Sequence, residues 1–131
     1  MSDASENLLQ HAMRGREHAY ARYSGFRVGA ALLSEDGEIF LGGNIENVSL
    51  GLTMCAERVA VGTAVQSGKS SFREVAIVAD STDPIVPCGA CRQVLAEFNP
   101  HLKIVSRTLS GRTEEFSLDV LLPASRQGIL Q

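Results

Sequence analysis

Apolar positions along this chain change period several times, and the changes mark out its elements. Leu8, Leu9, Ala12, Met13, Ala19 and Tyr20 recur at helical spacing, which predicts an amphipathic helix over residues 4–21 with its stripe in the core. Asp3 and Glu6 stand where a capping box would start it. Residues 28–33, the turn Glu35-Asp36-Gly37 and residues 38–42 have the pattern of a β-hairpin. Helical period returns over residues 55–67 through Val59, Ala60, Thr63 and Ala64, with Gly68 as a C-terminal stop. Residues 75–79 are continuously apolar, as in a strand covered on both faces. A helix over 89–98 closed by Asn99-Pro100, a strand over 102–106 and a short helix over 117–122 ending at Pro123 follow, and the tail has no clear pattern. The order helix, hairpin, helix, strand, helix, strand predicts an α/β fold in which helices cover a sheet. With no repeat or linker, residues 1–131 are expected to form a single domain.

Composition narrows the function. Hydrophobic residues make up 44% of the chain and charged ones 21%, enough for a core without disulfide support. The formal net charge of −3 offers no electrostatic footprint for a polyphosphate backbone, so the expected partner is a small molecule and not nucleic acid. The first residues are acidic and polar and do not resemble a signal peptide, and no stretch is long enough to span a bilayer. An odd cysteine count in such a chain points to reduced thiols or a metal, and the expected location is the cytoplasm.

All three cysteines belong to one pattern: Cys55 with Glu57 two residues on, then Pro87-Cys88-Gly89-Ala90-Cys91. Both groups fall at predicted helix starts, where unpaired N–H groups and the helix dipole favour thiolates. Three protein ligands with the fourth position open is the catalytic form of a zinc site, one zinc per chain, whereas a structural site is normally closed by a fourth cysteine or histidine. His11, His18 and His101 lie away from these loops. Three thiolates around one divalent ion leave a formal charge of −1, so an outer-shell cation is expected. Arg58 is the favoured candidate and Arg92 the less favoured. Glu57 leaves a different face of its helix from Cys55 and is placed to carry protons. The plainer readings are a helix-start carboxylate for Glu57 and, for Cys88-Gly89-Ala90-Cys91, a thiol redox pair or a zinc-binding protein without turnover. Against the redox reading stand Glu57 in register with Cys55 and the lack of a spare thiol.

Cys-x-Glu followed by Pro-Cys-x-x-Cys resembles, in a three-cysteine form, the signature of zinc-dependent deaminases. Over nearly its whole length the chain resembles the small homotetrameric cytidine deaminases of pyrimidine salvage. The resemblance runs from Tyr23-Ser24-Gly25-Phe26-Arg27-Val28-Gly29 through Asn44-Ile45-Glu46-Asn47, Cys55-Ala56-Glu57-Arg58 and Pro87-Cys88-Gly89-Ala90-Cys91-Arg92-Gln93 to Leu121-Leu122-Pro123. It implies a three-layer α/β/α sandwich with a five-stranded mixed sheet, zinc on Cys55, Cys88 and Cys91, and Glu57 as proton shuttle. It also implies that Phe26 packs on the pyrimidine, that Asn44 and Glu46 hydrogen-bond the ribose hydroxyl, and that the Ala56 backbone helps hold the base. The implied reaction is hydrolytic deamination of cytidine and 2′-deoxycytidine to uridine and 2′-deoxyuridine, with ammonia released and active sites shared between subunits. Two positions depart from the family: Leu50 and Arg126 stand where base-pocket aromatics are usual. These departures leave open another amino-heterocycle or a modified cytosine nucleoside as substrate.

Overall fold

The strand Val28–Ser34 (β1) is buried at every residue because it lies inside the sheet and beneath helices on both faces. Its side chains alternate accordingly. Ala30 and Leu32 enter one apolar cluster, while Ala31 and Leu33 enter another on the opposite side. The computed structural model describes residues 1–127. Around β1 run helix α1 (Asp3–Glu17), strand β2 (Ile39–Gly43), a 3-10 turn (Leu50–Leu52), helix α2 (Ala56–Gln66) and strand β3 (Phe72–Ala79). Helix α3 (Gly89–Phe98), strands β4 (Lys103–Thr108) and β5 (Thr113–Ser117) and a single-turn helix α4 (Leu118–Leu121) complete the order.

The strands form one mixed sheet in the order β2-β1-β3-β4-β5. Among these five strands β3 and β4 pair in parallel, joined by α3, and the other neighbours are antiparallel. Helix α1 covers one face through Leu8, Leu9 and Ala12, which meet Ala31, Ala76, Val78 and Val105. Helices α2 and α3 cover the other face, where Ala60, Ala64 and Leu95 join Leu32, Val75, Ile77 and Ile104. This is the expected α/β/α arrangement. Fully burying a side chain such as Leu8 or Leu9 contributes about 1.5–3 kcal/mol.

Register determines where the site lies. Gly29 pairs with Gly43, Val28 with Ala79, and Ala79 with Thr108. The segment entering β1 and the segments leaving β2 and β3 therefore emerge at the same end of the sheet. Open α/β sheets bind ligands at such strand ends.

Several boundaries differ from the expectations. α1 stops at Glu17 and not near residue 21, because Tyr20 turns its backbone to Asn44 and Glu46: its N–H donates to Asn44 O at 2.8 Å, and its carbonyl accepts from Glu46 N–H at 2.8 Å. Ser2, and not an Asp3–Glu6 box, caps the helix by accepting from Ser5 N–H, while Glu6 pairs with Arg107. β5 has no hydrophobic pattern because it is an edge strand. Glu114 and Glu115 are exposed on it, and charge there discourages pairing with another chain.

Gly42 sets how closely α2 approaches the sheet. A Cβ there would lie 2.2 Å from Ala56 O and 2.5 Å from Ala60 N, both backbone atoms. Gly42→Ala is expected to destabilise the protein by about 1–3 kcal/mol, as overpacking does. Denaturant unfolding checks this, and unchanged stability would mean that α2 is not seated on that contact.

Candidate active site

Two of the three cysteines are helix N-caps that do not cap. Cys55 precedes α2 and Cys88 precedes α3, each with extended backbone and no side-chain hydrogen bond to the helix it starts. N-cap side chains ordinarily accept such a bond, so both sulfurs are left to point at each other. Cys91, in the first turn of α3, is buried and completes the group. The three Sγ atoms lie within 4.8 Å of one another, and Cys55 Sγ is 3.6 Å from Cys88 Sγ. Tetrahedral zinc with thiolates at about 2.3 Å separates sulfurs by roughly 3.8 Å. The donor set thus fits zinc in type and in spacing.

The local field favours thiolate at Cys55. Its pKa is pulled down to about 5, first by a hydrogen bond with Cys91 and then by those with Arg58 and Cys88. The same bond, burial and the nearby Glu57 carboxylate push Cys91 upward. Arg58 Nη2 donates to Cys55 Sγ at 3.8 Å and to Thr53 O at 3.2 Å. Arg92 points elsewhere, donating to Pro87 O at 2.8 Å and to Leu121 O at 3.1 Å, so it ties the cysteine loop to α4.

Glu57, in the first turn of α2, is only 4% exposed. Burial raises its carboxyl to about 7, the Cys55 charge adds to the rise, and its own backbone N–H and Arg58 oppose it. It faces a cavity of about 230 Å³ bounded by Cys55, Ala56 and Cys88 on one side and by Phe26, Val28 and Asn44 on another. That is below the roughly 300–1,000 Å³ of drug-sized pockets and suits a single small heterocycle.

Ile85 and Val86 close the same cavity, and sequence reasoning passed over them. The available signal was an apolar pair held between Pro84 and Pro87 immediately before Cys88. Asn44 is buried and lines the cavity, and its amide already holds the chain entering β1: Oδ1 accepts from Val28 N–H and Nδ2 donates to Phe26 O, both at 2.9 Å. Glu46 Oε1 accepts from Tyr23 N–H at 2.9 Å and Ser24 N–H at 3.0 Å, and Oε2 accepts from the Ser24 hydroxyl. These bonds hold Glu46 below the ordinary carboxylate range, the Ser24 hydroxyl most of all. Leu50 is 74% exposed and does not line the cavity. Arg126 lies at the C-terminal end of α3, donating to Ala96 O and Glu97 O, beside His101 and Asp119. His11 bonds Asn7 O and His101 pairs with Asp119, both apart from the thiols.

Fold and site together define an α/β/α protein with a three-thiolate metal centre and a buried carboxyl at its edge. The model of the family described as the cytidine and deoxycytidylate deaminase zinc-binding region matches residues 2–106. A cytidine deaminase of Sporosarcina psychrophila is 49% identical over 92% of this chain and 89% of its own length. One from Halalkalibacterium halodurans is 47% identical over 90% of each chain. The crystal structure of cytidine deaminase from Burkholderia pseudomallei superposes with a TM-score of 0.89 at 43% identity, covering 95% of this chain and 98% of that one. The chain belongs to the zinc-binding cytidine and deoxycytidylate deaminase family. No helix among the described residues is long and apolar enough to cross a membrane.

Proposed function

We propose that this protein is a zinc-dependent cytidine deaminase that hydrolyses cytidine and 2′-deoxycytidine to uridine and 2′-deoxyuridine with release of ammonia. The observation that carries this reading is the triangle of Cys55, Cys88 and Cys91, with Cys55, Cys88 and buried Glu57 lining a cavity sized for one base. When bound, zinc supplies the Lewis acidity that makes a water molecule nucleophilic at neutral pH. Glu57 would take one proton from the attacking water and deliver it to the ring nitrogen, then take the second from the hydroxyl so added to the ring carbon and pass it to the departing amine as the carbon–nitrogen bond breaks. Arg58 offsets the excess thiolate charge through Cys55.

Substrate recognition falls to the other wall. Phe26 offers an aromatic face to a flat base. In this reading the Ala56 backbone meets the base edge, supported by its position on the cavity lining in the first turn of α2, where N–H groups have no helical partner. Asn44, which lines the cavity, and Glu46, two residues on and outside its lining, keep spare capacity for a sugar hydroxyl. The amide retains one N–H, and the carboxylate has three of about four acceptor positions filled. Free cytosine is therefore expected to be a poor substrate, since it forgoes both partners, and buried Asn44 left unpaired would typically cost about 1–3 kcal/mol. A place in cytoplasmic pyrimidine salvage accords with this substrate class. A homotetramer accords with the exposed apolar run Val48, Leu50 and Leu52, which leads into Thr53 and Cys55.

The test is to incubate zinc-loaded protein with cytidine, deoxycytidine and cytosine separately, following ammonia and separating the products by chromatography. Uridine and deoxyuridine without uracil is the expected result. No turnover despite one bound zinc would transfer the reading to another aminated heterocycle.

A further inference from the structure

The segment that carries Phe26 is exposed from Arg22 to Arg27, so burial does not hold it in place. A directed chain of hydrogen bonds does. Phe26 N–H donates to Ser24 Oγ at 2.9 Å, and the Ser24 hydroxyl donates to Glu46 Oε2. Neither direction can reverse, because a backbone N–H only donates and a carboxylate only accepts. Gly25, at φ +71° with its N–H on Ala21 O, makes the turn that brings Phe26 N–H back onto Ser24. Chains of this kind polarise one another, so the aromatic wall and the carboxylate are held together through one hydroxyl.

That hydroxyl occupies one of the two acceptor positions on Glu46 Oε2, the other two of the carboxylate being filled by Tyr23 N–H and Ser24 N–H at Oε1. The remaining position is thereby directed, and the carboxylate cannot rotate without breaking all three bonds. We propose that Ser24 is a positioning residue for nucleoside recognition, its hydroxyl aligning the Glu46 carboxylate for a sugar hydroxyl while fixing the Phe26 wall, so that sugar selectivity depends on Ser24. This rests on the nucleoside reading of the site. Without the hydroxyl, Phe26 N–H loses its acceptor, which weakens both nucleosides alike, and Oε2 is free to turn to water, which weakens only substrates that present a 2′ or 3′ hydroxyl.

The experiment compares zinc-loaded wild type, Ser24→Ala and Ser24→Thr on cytidine and on 2′,3′-dideoxycytidine, which keeps the base and the 5′ hydroxyl and loses the 2′ and 3′ hydroxyls. In Ser24→Ala the ratio of kcat/KM for cytidine over the dideoxy compound is expected to fall about tenfold, in line with loss of one charge-assisted hydrogen bond at an exposed site. The loss should appear in KM for cytidine, and Ser24→Thr should keep the wild-type ratio because it keeps the hydroxyl. An unchanged ratio in Ser24→Ala, equal losses on both nucleosides, or a Ser24→Thr protein that behaves like Ser24→Ala would overturn the proposal. Wild-type protein without turnover of cytidine would instead remove the nucleoside reading, and this inference with it.

Discussion

Glu57→Ala protein is expected to keep its zinc and its fold yet release ammonia from cytidine at least about a hundredfold more slowly than wild type, the usual scale of a lost general acid–base group. Glu57 stands in the first turn of α2, two residues beyond Cys55, and is almost wholly buried at the cavity floor. No cysteine ligand is touched by the change. Efficient proton carriers have a pKa near the working pH, since each must accept in one step and donate in the next. Burial, helped by the Cys55 charge and opposed by Arg58, brings this carboxyl to about 7. Zinc content by atomic absorption and the rate of ammonia release decide the matter together. A fully active, zinc-loaded Glu57→Ala protein would exclude Glu57 as the proton carrier.

The metal centre was legible in the sequence because its chemistry is local. Spacing alone placed Cys55 and Cys88 at helix starts, and the structure adds that both are N-caps with uncommitted side chains. The sequence favours Arg58 over Arg92 as the outer-shell hydrogen-bond partner of a cysteine sulfur; Arg58 reaches Cys55, whereas Arg92 donates to backbone carbonyls. What escaped the sequence depends on tertiary pairing. Tyr20 continues a helical pattern but ends in a bridge to Ile45, because backbone partners at Asn44 and Glu46 outcompete another helical turn. Glu6 looks like half of a capping box until Arg107, a hundred residues away in sequence, takes its carboxylate at 2.7 and 2.8 Å. The polar strand β5 is not picked out by pattern because an edge strand at the rim of a covered sheet needs no hydrophobic alternation. Asn44 and Glu46 appeared as ligand-facing residues, whereas each also anchors the chain that bears Phe26, a duty no spacing rule reveals.

Cys88→Ala is expected to have the opposite signature to Glu57→Ala: no activity because there is no metal. Cys88 supplies one of three sulfurs, and its carbonyl accepts the first helical bond of α3, from Arg92 N–H at 2.9 Å. Removing the sulfur leaves two protein ligands, fewer than catalytic zinc sites use. Zinc bound only to the native state adds its binding energy to folding, so its loss also lowers the melting temperature. The fold should not disappear, because the cluster of Leu8, Leu9, Ala12, Ala76, Val78 and Val105 lies on the face of the sheet opposite the metal helices. The loosening should concentrate at the start of α3 and in the segment with Ile85 and Val86, which leads into Cys88 and which a metal held by Cys55 and Cys88 would steady. Metal analysis, thermal unfolding and hydrogen exchange over residues 80–95 read these effects separately. A Cys88→Ala protein that retained stoichiometric zinc and turnover would mean that the three-thiolate centre is not where the chemistry occurs. Zinc lost with wild-type melting temperature would mean that the metal serves catalysis alone.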